Sequence, residues 1–139
     1  MVADGYACVR CVDNCGAVVK QMSAKYAGVK GLSYGVEDAT ALSGVRDGTV
    51  DLVVGKGLLD TILCGEDSGD RAAQMVAAAH RVLKKRGVLL VVTHAPFADK
   101  RAELLSTGDW KVATHTLLAP KIDDGEEDVT HYVFACTKH

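Results

Sequence analysis

A chain of 139 residues, 48% hydrophobic and 24% charged, has the size and composition of one globular domain, which excludes a disordered or fibrous chain. Its formal net charge of −2 gives no electrostatic case for nucleic acid or an anionic membrane surface, and apolar runs of about five to seven residues are too short to span a bilayer. Val2-Ala3-Asp4-Gly5 after Met1 predicts no secretory leader, and five cysteines without framework spacing fit reduced thiols in a cytoplasmic protein.

Tyr6–Val12 predicts a strand ending at Asp13. Asn14 is placed to cap a helix running to about Tyr26, with Val18, Val19, Met22 and Tyr26 on one face and Gly28 closing it. Alternation of Leu32, Tyr34 and Val36 with Ser33, Gly35 and Glu37 predicts a strand over Gly31–Val36, ending at Glu37-Asp38. An Asp47-Gly48 turn leads to Val50–Val54, whose apolar run predicts a strand covered on both faces, as in a parallel sheet. That strand is expected to break at Gly55-Lys56-Gly57 and turn directly into a helix carrying Leu58, Leu59, Ile62 and Leu63. Ligands of such sheets gather outside the carboxyl ends of the strands, which is where Gly55–Gly57 falls.

The acidic loop Gly65–Asp70 precedes the clearest helical pattern of the chain, Ala72, Met75, Val76, Ala79, Val82 and Leu83. Lys84-Lys85-Arg86 is expected in its last turn, where the helix dipole favours cations, and Gly87 at its end. Val88–Thr93 predicts another strand buried on both faces, and Pro96 the break after it. A helix from about Phe97 to Leu105 follows. Trp110, Val112, Thr114, Thr116 and Leu118 then alternate with their neighbours, and after an acidic loop at Asp123–Asp128 a strand over Val129–Thr137 is expected to pair with them antiparallel. The order β-α-β-β-α-α-β-α-β-β predicts an α/β domain: a mostly parallel sheet with helices on both faces and an antiparallel pair at one edge.

The stretches CVDNCGAVVKQM, VEDATAL, TVDLVVGKGLLDTILCG, RVLKKRGVLLVVTHAPF, and GDW followed by HYVFACTKH resemble the class I S-adenosylmethionine-dependent methyltransferases. Within that superfamily they are most similar to the eukaryotic branch that methylates lysines of elongation factor 1-alpha. There the fourth strand is typically followed by Asp-Lys-Gly-Thr-Leu-Asp, where this chain has Gly55-Lys56-Gly57-Leu58-Leu59-Asp60. The resemblance implies a three-layer Rossmann-like sheet lacking the family's first strand and glycine-rich loop, which precede the position of Asp13 in the family. It also implies a single, N-terminally truncated methyltransferase domain over 1–139. The missing strand belongs mid-sheet, between those ending at Asp13 and Val54, so its absence is expected to leave two unpaired edges. Three outcomes follow: the strands close up, a homodimer or a second chain fills the gap, or the chain is a shortened form of a longer protein.

The resemblance further implies S-adenosylmethionine as cofactor. Asp13, with Asn14 beside it, takes the place of the acid that holds the ribose hydroxyls, the alternative being a turn or capping acid. Asp38-Ala39 takes the place of the adenine contact, against an ordinary strand-end turn. Gly55, Lys56 and Gly57 would line the methionine end and the entry of a protein substrate, against a tight turn that needs glycine. Gly55 replaces the family's acid. No catalytic residue is assigned; Lys56 and His94 are the candidates. An ordinary lysine is protonated at pH 7, which counts against Lys56 as a base, whereas the ordinary pKa of histidine suits His94 for orienting or deprotonating a nucleophile. The alternative for His94 is a strand-end histidine without a catalytic partner. Pro96 and Phe97 resemble the segment that touches the target. Cys8, Cys11 and Cys15 read C-x2-C-x3-C, but on a strand Cys8 and Cys11 face opposite sides, so no metal is expected. The alternative to an enzyme is a non-catalytic remnant or interaction domain that dimerises through the unpaired edges.

Overall fold

The computed structural model describes residues 1–94, 97–119 and 129–139. After one 3-10 turn at Val2–Asp4, the chain forms β1 (Val9–Asp13), α1 (Gly16–Lys25), β2 (Leu32–Val36), β3 (Val50–Lys56), α2 (Leu58–Leu63), α3 (Ser68–Val82), β4 (Leu83–His94), α4 (Ala98–Ser106), β5 (Trp110–Leu118) and β6 (Thr130–Lys138). The order of strands and helices is the one the sequence predicts. Pro96 and the acidic 123–128 segment lie outside the described residues.

Instead of one sheet there are two: a parallel pair β1-β2 and a four-stranded sheet in the order β3-β4-β6-β5. β3 and β4 run parallel, and β6 is antiparallel to both β4 and β5. Among the described residues no strand bonds to the outer edge of β1 or of β3, so the strands flanking the expected gap have not closed up.

The four-stranded sheet holds the core on one face. Cross-strand partners put Val53, Leu89, Cys136 and Val112 in one row and Gly55, Val91, Phe134 and Thr114 in the next. Leu59 of α2, Ala72, Met75, Val76 and Ala79 of α3 and Leu105 of α4 pack against this face. Burying side chains such as Phe134 and Leu89 stabilises the fold by about 1.5–3 kcal/mol each. The opposite face carries Leu52 and Val88, then Val54, Leu90, Ala135 and Ala113 in register. No described helix covers it: α2, α3 and α4 lie on the other side, and α1 packs on β1 and β2. The expectation of strands buried on both faces therefore fails at Val50–Val54 and Val88–Thr93. Val54 is 44% exposed, and Val88, Leu90 and Val92 are half-buried while Leu89, Val91 and Thr93 are buried. A continuous apolar run reports only that the side chains are apolar. What covers them is a property of other segments.

Three boundaries move for identifiable reasons. α3 ends at Val82 rather than Gly87, because Leu83 turns extended and pairs with Val50. Lys84-Lys85-Arg86 thus lies in β4, with Arg86 in the left-handed region, and the last helical turn carries His80 and Arg81. β3 continues through Lys56, and the turn into α2 is made at Gly57, whose φ of 68° favours glycine. Gly55 has ordinary space around a would-be Cβ, so sterics do not demand glycine there.

Candidate functional site

β1 and β2 deliver two carboxylates to the same end of one parallel pair. Asp13 is opposite Val36 at the close of the register, and Asp38 follows two residues beyond Val36. The chain leaves β1 by a turn in which the Cys15 N–H donates to Asp13 Oδ1 at 2.8 Å. Asn14 does not cap the helix: Cys15 holds the flanking position, without a side-chain capping bond, because the Asp13 turn places it there. Both Asp13 and Asn14 are exposed. Leaving β2, Asp38 Oδ1 accepts from the Thr40 N–H at 2.8 Å and from Thr40 Oγ1 at 2.7 Å. These two bonds, the hydroxyl first, hold the Asp38 carboxyl below its ordinary 3.8; slight burial opposes them and the Arg71 charge adds to them. Asp38 is therefore a carboxylate at neutral pH. Among the described residues the second oxygen of each carboxylate has no hydrogen-bond donor, and the Ala39 N–H has no acceptor.

This arrangement fits the sugar and base of an adenosyl group. A vicinal diol donates to one free carboxylate oxygen, and an exocyclic amine donates to the other while the ring accepts from the Ala39 N–H. Gly55, Lys56 and Gly57 stand at the carboxyl end of β3 in the other sheet, and no described hydrogen bond joins them to the Asp13–Asp38 group. The two groups are held by the intervening loop. Arg81 donates to the carbonyls of Ala41 at 3.0 Å, Leu42 at 2.9 Å and Val45 at 3.1 Å and pairs with Asp47, which staples residues 41–47 to α3. Leu42 buries beside Val82, Val50 and Val53. Lys56 is exposed and lies in the Val92 row of the uncovered face, without an ion pair among the described residues.

His94 closes β4, and its surroundings are richer than the sequence reveals. Asp60, in the first turn of α2, accepts from Thr93 Oγ1 at 2.6 Å and from the His94 N–H at 3.3 Å, and forms an ion pair with Arg101 of α4. Arg101, 5% exposed, also donates to the His94 carbonyl at 2.7 Å. The His94 ring is exposed and meets the His131 ring edge-on at 4.6 Å between centroids. Phe97 is exposed beside the Arg101 guanidinium. Sequence reasoning missed Asp60, Thr93, Arg101 and His131 as a group. One signal was available: Arg101 shares the i, i+3, i+4, i+7 stripe of α4 with Ala98, Ala102 and Leu105, and an arginine on an apolar stripe demands a buried acid.

Cys8 and Cys15 are exposed and Cys11 is half-buried; among the described residues no three His, Cys, Asp or Glu side chains assemble as metal ligands. None of the described helices is long and apolar enough to cross a membrane.

The architecture has close counterparts. An S-adenosylmethionine-dependent methyltransferase of Methanosarcina mazei superposes with a TM-score of 0.76 at 14% identity, covering 99% of this chain and 84% of that one. The YcgJ protein of Bacillus subtilis gives 0.71 at 12% identity, covering 95% and 82%. A protein of Pyrococcus horikoshii gives 0.66 at 17%, covering 99% and 74%. At these identities the likeness is one of fold. No curated protein matches the chain. A family model described as a methyltransferase domain matches residues 1–91, which span β1 through most of β4 and include every cofactor-site candidate. The chain belongs to that family, the class I S-adenosylmethionine-dependent methyltransferases.

Proposed function

We propose that this chain binds S-adenosylmethionine through Asp13, Asn14, Asp38, Ala39, Gly55, Lys56 and Gly57, and that the domain transfers the cofactor's methyl group to a nucleophile. The observation that carries the reading is the pair of half-free carboxylates, Asp13 and Asp38, at one end of adjacent parallel strands within the family match. The cofactor supplies an electrophilic methyl on a sulfonium, so the chain's own residues need only bind, orient and exclude water. His94, anchored through its backbone to Asp60 and Arg101, is the side chain best placed to orient or deprotonate an acceptor at the carboxyl end of β4. Likeness to the elongation-factor branch over Gly55–Asp60 favours a protein lysine as acceptor, in the cytoplasm. Calorimetry with S-adenosylhomocysteine tests the binding: saturable heat is expected, weakened about tenfold in Asp13→Ala and Asp38→Ala by loss of one charge-assisted hydrogen bond each. No heat at high-micromolar ligand would overturn it.

A second reading rests on the open edges of β1 and β3 and on the uncovered apolar face between β3 and β5. A non-catalytic interaction domain of this fold would dimerise through those edges. Every described strand already bonds to one neighbour, so a second copy can extend one edge but cannot supply a strand that pairs with β1 and β3 together. Bridging both takes a second chain with a free strand of its own. Sedimentation of the isolated chain separates the cases: a concentration-dependent dimer without cofactor binding favours the interaction domain, and a monomer weakens it.

A further inference from the structure

Beside the two exposed carboxylates of the proposed cofactor site stands a third acid, Glu37, whose side chain is only 8% exposed. An acid withdrawn from water needs partners, and Glu37 has them on two sides. Its Oε1 accepts from Arg10 Nη2 of β1 at 3.1 Å, and its Oε2 accepts from the Gly44 N–H at 3.3 Å. Arg10 Nη1 donates in turn to the Gly44 carbonyl at 3.3 Å. The Glu37 N–H donates to the Asp13 carbonyl at 3.1 Å, which carries the ladder of β1 and β2 one bond beyond Val36. Arg10, Glu37 and Gly44 thus close a clasp that ties both ends of the 38–43 segment to β1. Space is as tight as the bonding: a Cβ at position 44 would collide with Glu37 Oε1.

Inside the clasped segment the backbone folds around Asp38. Its carbonyl accepts from the N–H groups of Ala41 at 3.0 Å and Leu42 at 2.7 Å, and its Oδ1 accepts from the Thr40 N–H at 2.8 Å. Those bonds set Asp38 within its own loop. The clasp sets that loop against Asp13, because Arg10 reaches it from the strand that carries Asp13. Arg81 holds the far side of the same loop, but to α3 rather than to β1.

We propose that the Arg10–Glu37–Gly44 clasp determines the selectivity of this chain for adenine, by fixing the Asp38 carboxylate and the Ala39 N–H against Asp13. This role rests on the binding of S-adenosylmethionine proposed above, and it makes the three clasp residues positioning residues that touch no ligand themselves. A carboxylate and an N–H tell an amine from a carbonyl only while they are held in place; a loop free to shift by about 1 Å loses that distinction. Arg10 also neutralises Glu37, so that of three neighbouring carboxylates Asp13 and Asp38 present their charge to the ligand.

Gly44→Ala opens the clasp without removing a charge. Gly44 is exposed and lies outside the left-handed region, so the backbone accepts alanine while the flexible Glu37 carboxylate is pushed out. Without ligand, amide exchange at Thr40, Ala41 and Leu42 should quicken about tenfold in this variant, with Leu89 and Val91 of the core unchanged. With ligand, calorimetry is expected to show that the parent prefers S-adenosylhomocysteine about tenfold over S-inosylhomocysteine, in which a carbonyl oxygen replaces the adenine amine. That ratio should fall towards one in Gly44→Ala and Glu37→Ala. Glu37→Gln, which keeps an acceptor for Arg10, should lie between Glu37→Ala and the parent. A clasp that only stabilised the fold would quicken exchange and leave the ratio intact in every variant, and that outcome overturns the proposal. Unchanged exchange at residues 40–42 overturns it as well. A parent chain that binds neither ligand removes the cofactor reading and the role of the clasp with it, whereas a parent and variants that discriminate equally remove the role of the clasp alone.

Discussion

The molecule has two parallel-strand units built from similar sequence patterns, and they differ in what they bury. In β3-β4 with α2, α3 and α4, Phe134 is 1% exposed and helices seal one face of the sheet. In β1-α1-β2 no residue is buried, and Val12, Val18 and Val36 are all exposed. Both units have the strand-helix-strand order of a doubly wound fold. Only the one that closes against other helices and an antiparallel strand acquires a core. The β1-α1-β2 unit is held by Arg10 to Glu37 and by the stacked rings of Tyr26 and Tyr34, while the loop beyond it is stapled by Arg81. A βαβ pattern thus specifies topology, and stability comes from what is laid over it.

The largest test of this contrast is a pair of truncations. Phe134→Ala removes a ring from the sealed face and is expected to cost about 3–5 kcal/mol in urea unfolding. Tyr34→Ala removes a half-buried ring stacked at 6.1 Å on Tyr26 and should cost about 1 kcal/mol. Equal costs would mean the two units share one core after all. Next comes the Asp60–Arg101 pair, which ties α2, β4 and α4 together. Asp60→Ala strands a buried guanidinium and is expected to cost about 3 kcal/mol. The double change Asp60→Leu with Arg101→Met should recover most of that loss, and recovery of stability without recovery of any methyl transfer would assign the pair to positioning His94.

Thiol reactivity reads the same contrast without mutation. Burial raises the Cys136 thiol from an ordinary 9.0 to about 11, which lowers its thiolate fraction near neutral pH about a hundredfold. Alkylation followed by mass spectrometry should therefore mark the exposed Cys8, Cys15 and Cys64 first and Cys136 only on unfolding. Early labelling of Cys136 would show that the sealed face opens.

How much of this was readable follows from which interactions are local. Periodicity located every strand and helix in order, because Leu32–Val36 and the Ala72–Val82 stripe each carry their own pattern. Turn residues marked the Asp13, Asp38 and Gly57 strand ends where the candidate site lies. Lys84-Lys85-Arg86 has good helical propensity and extends the predicted α3, but the pairing of Leu83 with Val50 overrides it and ends the helix at Val82. The Val and Leu runs of β3 and β4 predict cover on both faces, yet such runs do not distinguish a covered face from a bare one. In the Asp60–Arg101–Thr93 group the stripe around Arg101 signals that a buried acid is needed, but that acid, Asp60, lies more than thirty positions before Thr93, so no short-range pattern says which acid it is.

The smallest effect concerns Asp38, which links the lightly buried unit to the proposed cofactor. Its carboxyl titrates below the ordinary 3.8 chiefly because the Thr40 hydroxyl and then the Thr40 N–H donate to it. Since the native value lies below the unfolded one, these bonds stabilise the folded chain fully above pH 3.8. The contribution fades as the pH falls through the lowered native value. Thr40→Val removes the hydroxyl and keeps the N–H, so the Asp38 carboxyl resonance should titrate closer to 3.8 without reaching it. S-adenosylhomocysteine, donating its adenine amine to the free Oδ2, should lower the midpoint in both the parent chain and Thr40→Val. A ligand that binds yet leaves the Asp38 titration unmoved in both would take adenine away from this carboxylate and place it elsewhere along the ends of β1 and β2.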